Sequence, residues 1–159
     1  MNRMRKVLIA DDEIKVGQLV KRLIQWDRLG LTCIGLVTDG QTAYEKILSE
    51  SPDIVITDIR MPVLTGLEMI QKASEQGVKC HFIVVSGYKY FDYAQKALKY
   101  GVEDYLLKPI DEDELNRQLQ KIVAEEEQRE DKQQQVDKIE KKLEDSKYLR
   151  HKEFLRQIL

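Results

Sequence analysis

Five polar residues stand where apolar runs end in this 159-residue chain: Asp11 and Asp12 after the first run, Asp58 after the third, Ser86 after the fourth and Lys108 after the fifth. Three carboxylates drawn together repel one another and share protons unless a cation neutralises them. No His or Cys stands among the five, so softer transition metals find no preferred ligand. Hard oxygen donors point instead to Mg²⁺, which takes one or two carboxylates, keeps waters and accepts phosphate oxygens. Such a metal and the Lys108 ammonium would clamp a phosphoryl group in transfer, which is mostly how that transfer is catalysed. A carboxylate can also be the nucleophile and carry an aspartyl phosphate. Asp58, at the end of the central run, is the best-placed acceptor, and the adjacent Asp11 and Asp12 suit the metal.

Each residue also has an ordinary reading. Asp11 or Asp12 could cap a helix starting near Glu13; Ser86 before Gly87 could belong to a turn; Lys108-Pro109 could be a solvated lysine before a turn. Jointly, these require four unrelated coincidences on one edge of one sheet, and the chemical reading prevails.

That edge exists only if the runs are neighbouring strands. Lys6–Ala10, Thr32–Val37, Asp53–Thr57, Lys79–Val85 and Asp104–Leu107 have strand length. Several are near-continuous in Val, Ile and Leu, the pattern of strands buried on both faces of a parallel sheet. Between them, apolar residues recur at helical spacing: Ile14, Leu19, Leu23 and Ile24; Ala43, Tyr44, Ile47 and Leu48; Leu67, Met69, Ile70 and Ala73; Ala94, Ala97 and Leu98. Alternating strand and helix predicts a doubly wound α/β domain whose ligand sits at the carboxyl ends of the strands. Gly77 and Gly101 mark helix stops. A last helix opens near Asp111 and meets no Gly or Pro up to Leu159. Its Leu115, Leu119, Ile122 and Val123 suit packing on the sheet. Val136, Ile139 and Leu143 follow the spacing of a short coiled-coil seam, separated from the first group by the polar stretch Glu125–Gln135. The seam favours a dimer contact over a merely solvated linker.

Composition narrows the function classes. With 42% hydrophobic and 34% charged residues and a net charge of −2, the chain lacks the basic excess of a nucleic-acid module. No run approaches the roughly 20 apolar residues of a membrane span, and the N-terminus lacks a signal-peptide core. A cytoplasmic location is expected. Cys33 and Cys80 read as small buried hydrophobes in a reducing compartment rather than a disulfide or metal pair.

Together these motifs resemble the receiver domain of bacterial two-component response regulators. The resemblance covers residues 5 to about 122 and rests on Asp11-Asp12, on Asp58-Ile59-Arg60-Met61-Pro62 with Gly66, on Ser86-Gly87-Tyr88, and on Tyr105-Leu106-Leu107-Lys108-Pro109. It implies a flavodoxin-like fold with strand order 2-1-3-4-5 and a long C-terminal helical extension. It divides the chain into a receiver, 1–124, and a charged helical linker, 125–159. It also implies that Asp58 accepts phosphate from a sensor histidine kinase, and that Asp12, Asp58 and the Arg60 carbonyl bind Mg²⁺, with Asp11 holding the metal through water. Ser86 would bond a phosphoryl oxygen, Lys108 would pair with its charge, and Tyr105 would be the switch aromatic. The chain would accept phosphate and catalyse its own phosphorylation and dephosphorylation, without acting as a turnover enzyme on other substrates. Arg60 and Tyr88 would flank the approach of hydrolytic water, so slow dephosphorylation is expected.

The resemblance narrows further. Ser86 to Ala94, Gly101 to Pro109 and the tail Tyr148–Leu159 are similar to receivers joined to AraC-type DNA-binding domains. No helix-turn-helix follows, as expected of a piece of a longer transcription regulator, so DNA binding would belong to an effector domain beyond this chain. The face of the fourth helix, fifth strand and last helix, with Tyr88, Tyr90, Phe91, Tyr93 and Tyr100 nearby, would transmit the change and could join a homodimer.

Rival readings are weaker. A phosphatase with an aspartate nucleophile wants an acid two residues on, where Arg60 stands. A flavin or nucleotide carrier wants a Gly- or Ser/Thr-rich loop where Asp11-Asp12-Glu13 stands. A non-phosphorylated interaction module would not need Asp12, Asp58, Ser86 and Lys108 together. A stand-alone phosphorelay receiver is opposed only by the long helical tail.

Overall fold

The computed structural model of the protein describes residues 3–87 and 102–158. The helix expected around Ala94, Ala97 and Leu98, its stop at Gly101 and the aromatic cluster from Tyr88 to Tyr100 lie outside those residues. By compactness the chain divides into two units, residues 1–120 and 121–159.

The first unit is built on five parallel strands: β1 (Arg5–Ala10), β2 (Leu31–Val37), β3 (Ile54–Asp58), β4 (His81–Ser86) and β5 (Val102–Leu107). They lie in the order β2-β1-β3-β4-β5, as the resemblance implied. The expected strands are all present. β4 starts at His81 rather than Lys79, and β5 starts two residues earlier than the apolar run suggested. β3 is buried along its whole length, with Ile54, Val55 and Ile56 at most 2% exposed. Each such side chain stabilises the fold by about 1.5–3 kcal/mol relative to leaving it in water.

The helices are α1 (Ile14–Leu23), the single turn α2 (Trp26–Leu29), α3 (Gly40–Glu50), α4 (Gly66–Glu75) and α5 (Glu112–Ile158). On one sheet face, Leu8, Ala10, Val55, Phe82 and Val84 form a core with Ala43 and Ile47 of α3 and Met69, Ile70 and Ala73 of α4. Their strand neighbours Val7, Ile9, Ile54, Ile56 and Ile83 point to the other face and are equally buried, as doubly wound packing requires. Local chemistry fixes the helix starts. Asp39 accepts the Thr42 N–H at 2.7 Å, which holds its carboxyl below the usual range. Thr65 and Glu68 form a reciprocal capping box on α4, and Asp111 accepts from Glu114 N at 3.0 Å. Asn116, 3% exposed, donates to the Leu23 and Glu112 carbonyls and accepts from Gln25 N, each at 2.8 Å. It thereby satisfies the backbone where α1 ends and α2 begins. Cys33 and Cys80 are free and only half-buried, shallower than expected, because Cys33 lies on the edge strand β2 and Cys80 precedes β4.

The loop from β3 to α4 carries strain at Val63, whose φ of 70° is left-handed although its side chain is 82% exposed. A β-branched residue resists this conformation, whereas Asn tolerates it. Val63→Asn is expected to stabilise the chain by about 1 kcal/mol and raise the thermal midpoint by about 3 °C. An unchanged or lower midpoint would show that this backbone costs nothing.

The second unit continues α5. Glu126–Arg129 at 2.8 Å and Gln133–Asp137 at 2.9 Å brace its polar surface. Val136, Ile139 and Leu143 are 46–58% exposed. No described helix is long and apolar enough to cross a membrane.

Candidate functional site

Because all five strands run the same way, their carboxyl ends share one edge, and strand order reverses there between β1 and β3. Asp11 and Asp12 follow β1, Asp58 and Ser86 end β3 and β4, and Lys108 follows β5. One carboxylate oxygen from each of Asp11, Asp12 and Asp58 lies within 4.8 Å of the others. Lys108 Nζ stands 2.9 Å from Asp58 Oδ2 and 3.2 Å from Asp11 Oδ2. A cleft of about 370 Å³ opens over them, lined by Asp12, Glu13, Asp58, Arg60, Ser86, Gly87 and Lys108. That is room for a phosphoryl group and a hydrated cation.

The electrostatics follow from burial. Asp11 is 3% exposed, and burial pushes its carboxyl up from 3.8 to about 6. The Glu13 N–H and Lys108 oppose this rise, while the charge of Asp58 adds to it. For Lys108, burial alone would lower the ammonium, but its hydrogen bond to and the charge of Asp58, helped by Asp11, leave it raised. Asp11 does not cap α1, whose N-cap is Glu13 and has no side-chain cap hydrogen bond. Its Oδ1 accepts the Glu13 N–H at 2.9 Å, just ahead of α1, and its Oδ2 faces Lys108.

Asp58 is held at both oxygens: Ile59 N–H donates to Oδ1 at 2.7 Å and Lys108 to Oδ2 at 2.9 Å. Among the described residues the Ser86 hydroxyl is buried without a hydrogen-bond partner, at the rim of the cleft. Such an orphan costs about 1–3 kcal/mol and would be relieved by an arriving acceptor oxygen. Tyr105 is half-buried, with its hydroxyl donating to the Gly87 carbonyl at 2.8 Å. Burial raises that phenol above its usual value, while the nearby Ser86 hydroxyl acts the other way. Arg60 lines the cleft; Tyr88 lies outside the described residues.

The donor set suits a small hard cation. Asp11, Asp12 and Asp58 offer only carboxylate oxygens, gathered within 4.8 Å of one another, and hard oxygen donors are what Mg²⁺ prefers. Two cleft features escaped the sequence reading. Glu13 appeared there only as a helix start and as part of the acidic run Asp11-Asp12-Glu13. Gly66 was noted as part of a motif, but its role is steric: a Cβ there would lie 2.0 Å from the Asp58 carbonyl oxygen.

Comparison with known proteins agrees with this geometry. Residues 7–120 match the family described as response regulator receiver domain. The transcriptional regulatory protein YesN of Bacillus subtilis (strain 168) is 46% identical over 122 residues, covering 77% of this chain and 33% of YesN. The transcriptional regulatory protein HptR of Staphylococcus aureus is 35% identical over 120 residues, covering 76% of this chain and 47% of HptR. Among solved structures, the receiver domain of AraT, a response regulator from Geobacillus stearothermophilus, superposes with a TM-score of 0.76 at 36% identity, covering 80% of this chain and 98% of that one. The chain thus spans between a third and about half the length of these curated relatives.

Proposed function

Since this chain belongs to the response regulator receiver family of two-component systems, we propose that it accepts a phosphoryl group on Asp58 from a sensor histidine kinase, in a Mg²⁺-dependent reaction, and that it switches an attached transcriptional effector. The observation that carries this reading is the convergence of Asp11, Asp12, Asp58 and Lys108 at one strand edge. An Asp58 oxygen would attack phosphorus as the bond to the donor's leaving group breaks, its electron pair leaving with that group. Lys108, already within hydrogen-bond distance of both buried carboxylates, would follow the charge onto the phosphoryl oxygens, and the orphaned Ser86 hydroxyl would bond one of them. That would draw Ser86 and Gly87 toward the phosphoryl group and disturb the Tyr105–Gly87 hydrogen bond. Asp12, Asp58 and the Arg60 carbonyl, with Asp11 acting through water, would hold Mg²⁺, which would supply positive charge against the carboxylates and the phosphoryl oxygens.

The chain is read as a phosphoryl acceptor, self-phosphorylating and self-dephosphorylating, with no turnover of other substrates. Similarity to transcriptional regulators supports an effector, which we take to be AraC-type and cytoplasmic, carrying the DNA contacts. The half-exposed seam Val136–Ile139–Leu143 supports pairing of two copies through α5. Intact mass after incubation with a small acyl phosphate tests the reading: Mg²⁺ should give a phosphate-sized gain that EDTA removes. A gain independent of metal, or none from either acyl phosphate or a phosphorylated kinase, contradicts it.

A pH signature follows from Asp11. Its folded value of about 6 exceeds the ordinary 3.8, so between these values the folded chain holds a proton that the unfolded chain has released. Metal-free stability therefore falls as pH rises from about 4 to 6, by at most about 3 kcal/mol. A cation that needs the ionised carboxylate reverses that loss. The gain in thermal midpoint on adding Mg²⁺ is expected to be larger near pH ~7.5 than near pH ~5. Equal gains would remove Asp11 from the metal site.

A further inference from the structure

The hydroxyl of Thr57 stands on the central strand among aliphatic residues, 1% exposed, and donates to the Asp58 carbonyl oxygen at 2.9 Å. That carbonyl and the Ile59 N–H belong to one planar peptide unit, whose two ends turn together. The N–H end donates to Asp58 Oδ1 at 2.7 Å. A chain of two hydrogen bonds therefore runs from Thr57 through the 58–59 peptide into the acceptor carboxylate. Polarisation of the carbonyl by Thr57 strengthens the N–H at the other end as a donor. Gly66 packs against the same carbonyl, so that a Cβ there would come within 2.0 Å of its oxygen.

We propose that Thr57 is a positioning residue for Asp58: its buried hydroxyl fixes the 58–59 peptide so that the Ile59 N–H holds Oδ1, leaving Oδ2 aimed at Lys108 and the cleft. The inference rests on the reading of Asp58 as phosphoryl acceptor. Burying a hydroxyl in an aliphatic layer is costly, and valine would fill nearly the same space. The hydrogen bond, rather than packing, is what threonine adds here.

The full chain would be compared with Thr57→Val and Thr57→Ser. With acyl phosphate and Mg²⁺, Thr57→Val should lower the maximal labelling rate roughly five- to tenfold, with the half-saturating donor concentration unchanged, since orientation is lost and donor binding is not. Thr57→Ser should restore the rate. In the metal-free protein, the Ile59 amide of Thr57→Val should shift upfield and exchange with solvent about fivefold faster, with no such change in Thr57→Ser. If valine prevents folding, Thr57→Ala against Thr57→Ser decides: a slow alanine and a normal serine variant support the inference, and equal rates overturn it. Wild type and Thr57→Val labelling equally fast, with the same Ile59 amide, overturn it while leaving Asp58 as acceptor. No labelling of wild type overturns both.

Discussion

Asp58→Asn is expected to abolish phosphoryl uptake, slowing labelling at least about a thousandfold, because the nucleophilic oxygen is replaced and no neighbour occupies its place. Asp11 and Asp12 sit close by, but Asp11 Oδ1 is engaged by the Glu13 N–H, its Oδ2 faces Lys108, and neither residue ends the central strand. The same substitution should change stability in the opposite direction. In the metal-free chain Asp58 repels Asp11 and helps push its carboxyl to about 6. A neutral amide removes that repulsion and leaves Lys108 to Asp11, so metal-free stability should rise by about 1 kcal/mol. Denaturant unfolding with and without Mg²⁺ checks the second half: the variant should start higher and gain less from the metal. A variant that starts lower would show that the Lys108–Asp58 pair outweighs the repulsion.

Of the substitutions proposed, Gly66→Ala should have the largest effect on folding. The added Cβ would lie 2.0 Å from the Asp58 carbonyl oxygen, 3.0 Å from its carbon and 3.1 Å from Ile59 Cα, all backbone atoms with nowhere to go. The α4 start and the loop after β3 must then separate, and the 2.7 Å hydrogen bond from Gly66 N to the Ile59 carbonyl is lost. A loss of about 3–4 kcal/mol is expected, read as a lower urea midpoint at unchanged slope. Labelling of the remaining folded fraction should also slow, because the displaced peptide is the one whose N–H holds Asp58 Oδ1. Gly40, whose Cβ would meet the Leu64 carbonyl at 1.7 Å, braces the far end of the same loop.

These close approaches explain which parts of the molecule were legible in its sequence. Runs such as Ile54-Val55-Ile56 and Phe82-Ile83-Val84-Val85 carry the pattern of strands buried on both faces, and the polar residue ending each run then falls on a common edge. The site follows from that periodicity. Strand limits were less visible: Lys79 and Cys80 extend the apolar run without joining the ladder, and Val102 pairs with Phe82 although the run begins later. The turn α2 is too short to show a period. Asn116 looks like an interruption of an apolar helix face, and only its hydrogen bonds to Leu23, Gln25 and Glu112 reveal it as a joint. Thr57 was hidden for a similar reason. A threonine in a strand is ordinary, and its hydroxyl matters only once the adjacent peptide is seen to hold the acceptor.

The central claim is that Asp58 carries the phosphoryl group. The most direct measurement is to label the full chain with acyl phosphate and Mg²⁺, trap the acyl phosphate by borohydride reduction, and map the reduced residue by peptide mass spectrometry. The account predicts reduction at residue 58 alone, absent when EDTA replaces the metal. Reduction at Asp11, Asp12 or elsewhere, or none in a chain whose intact mass has risen, would contradict it.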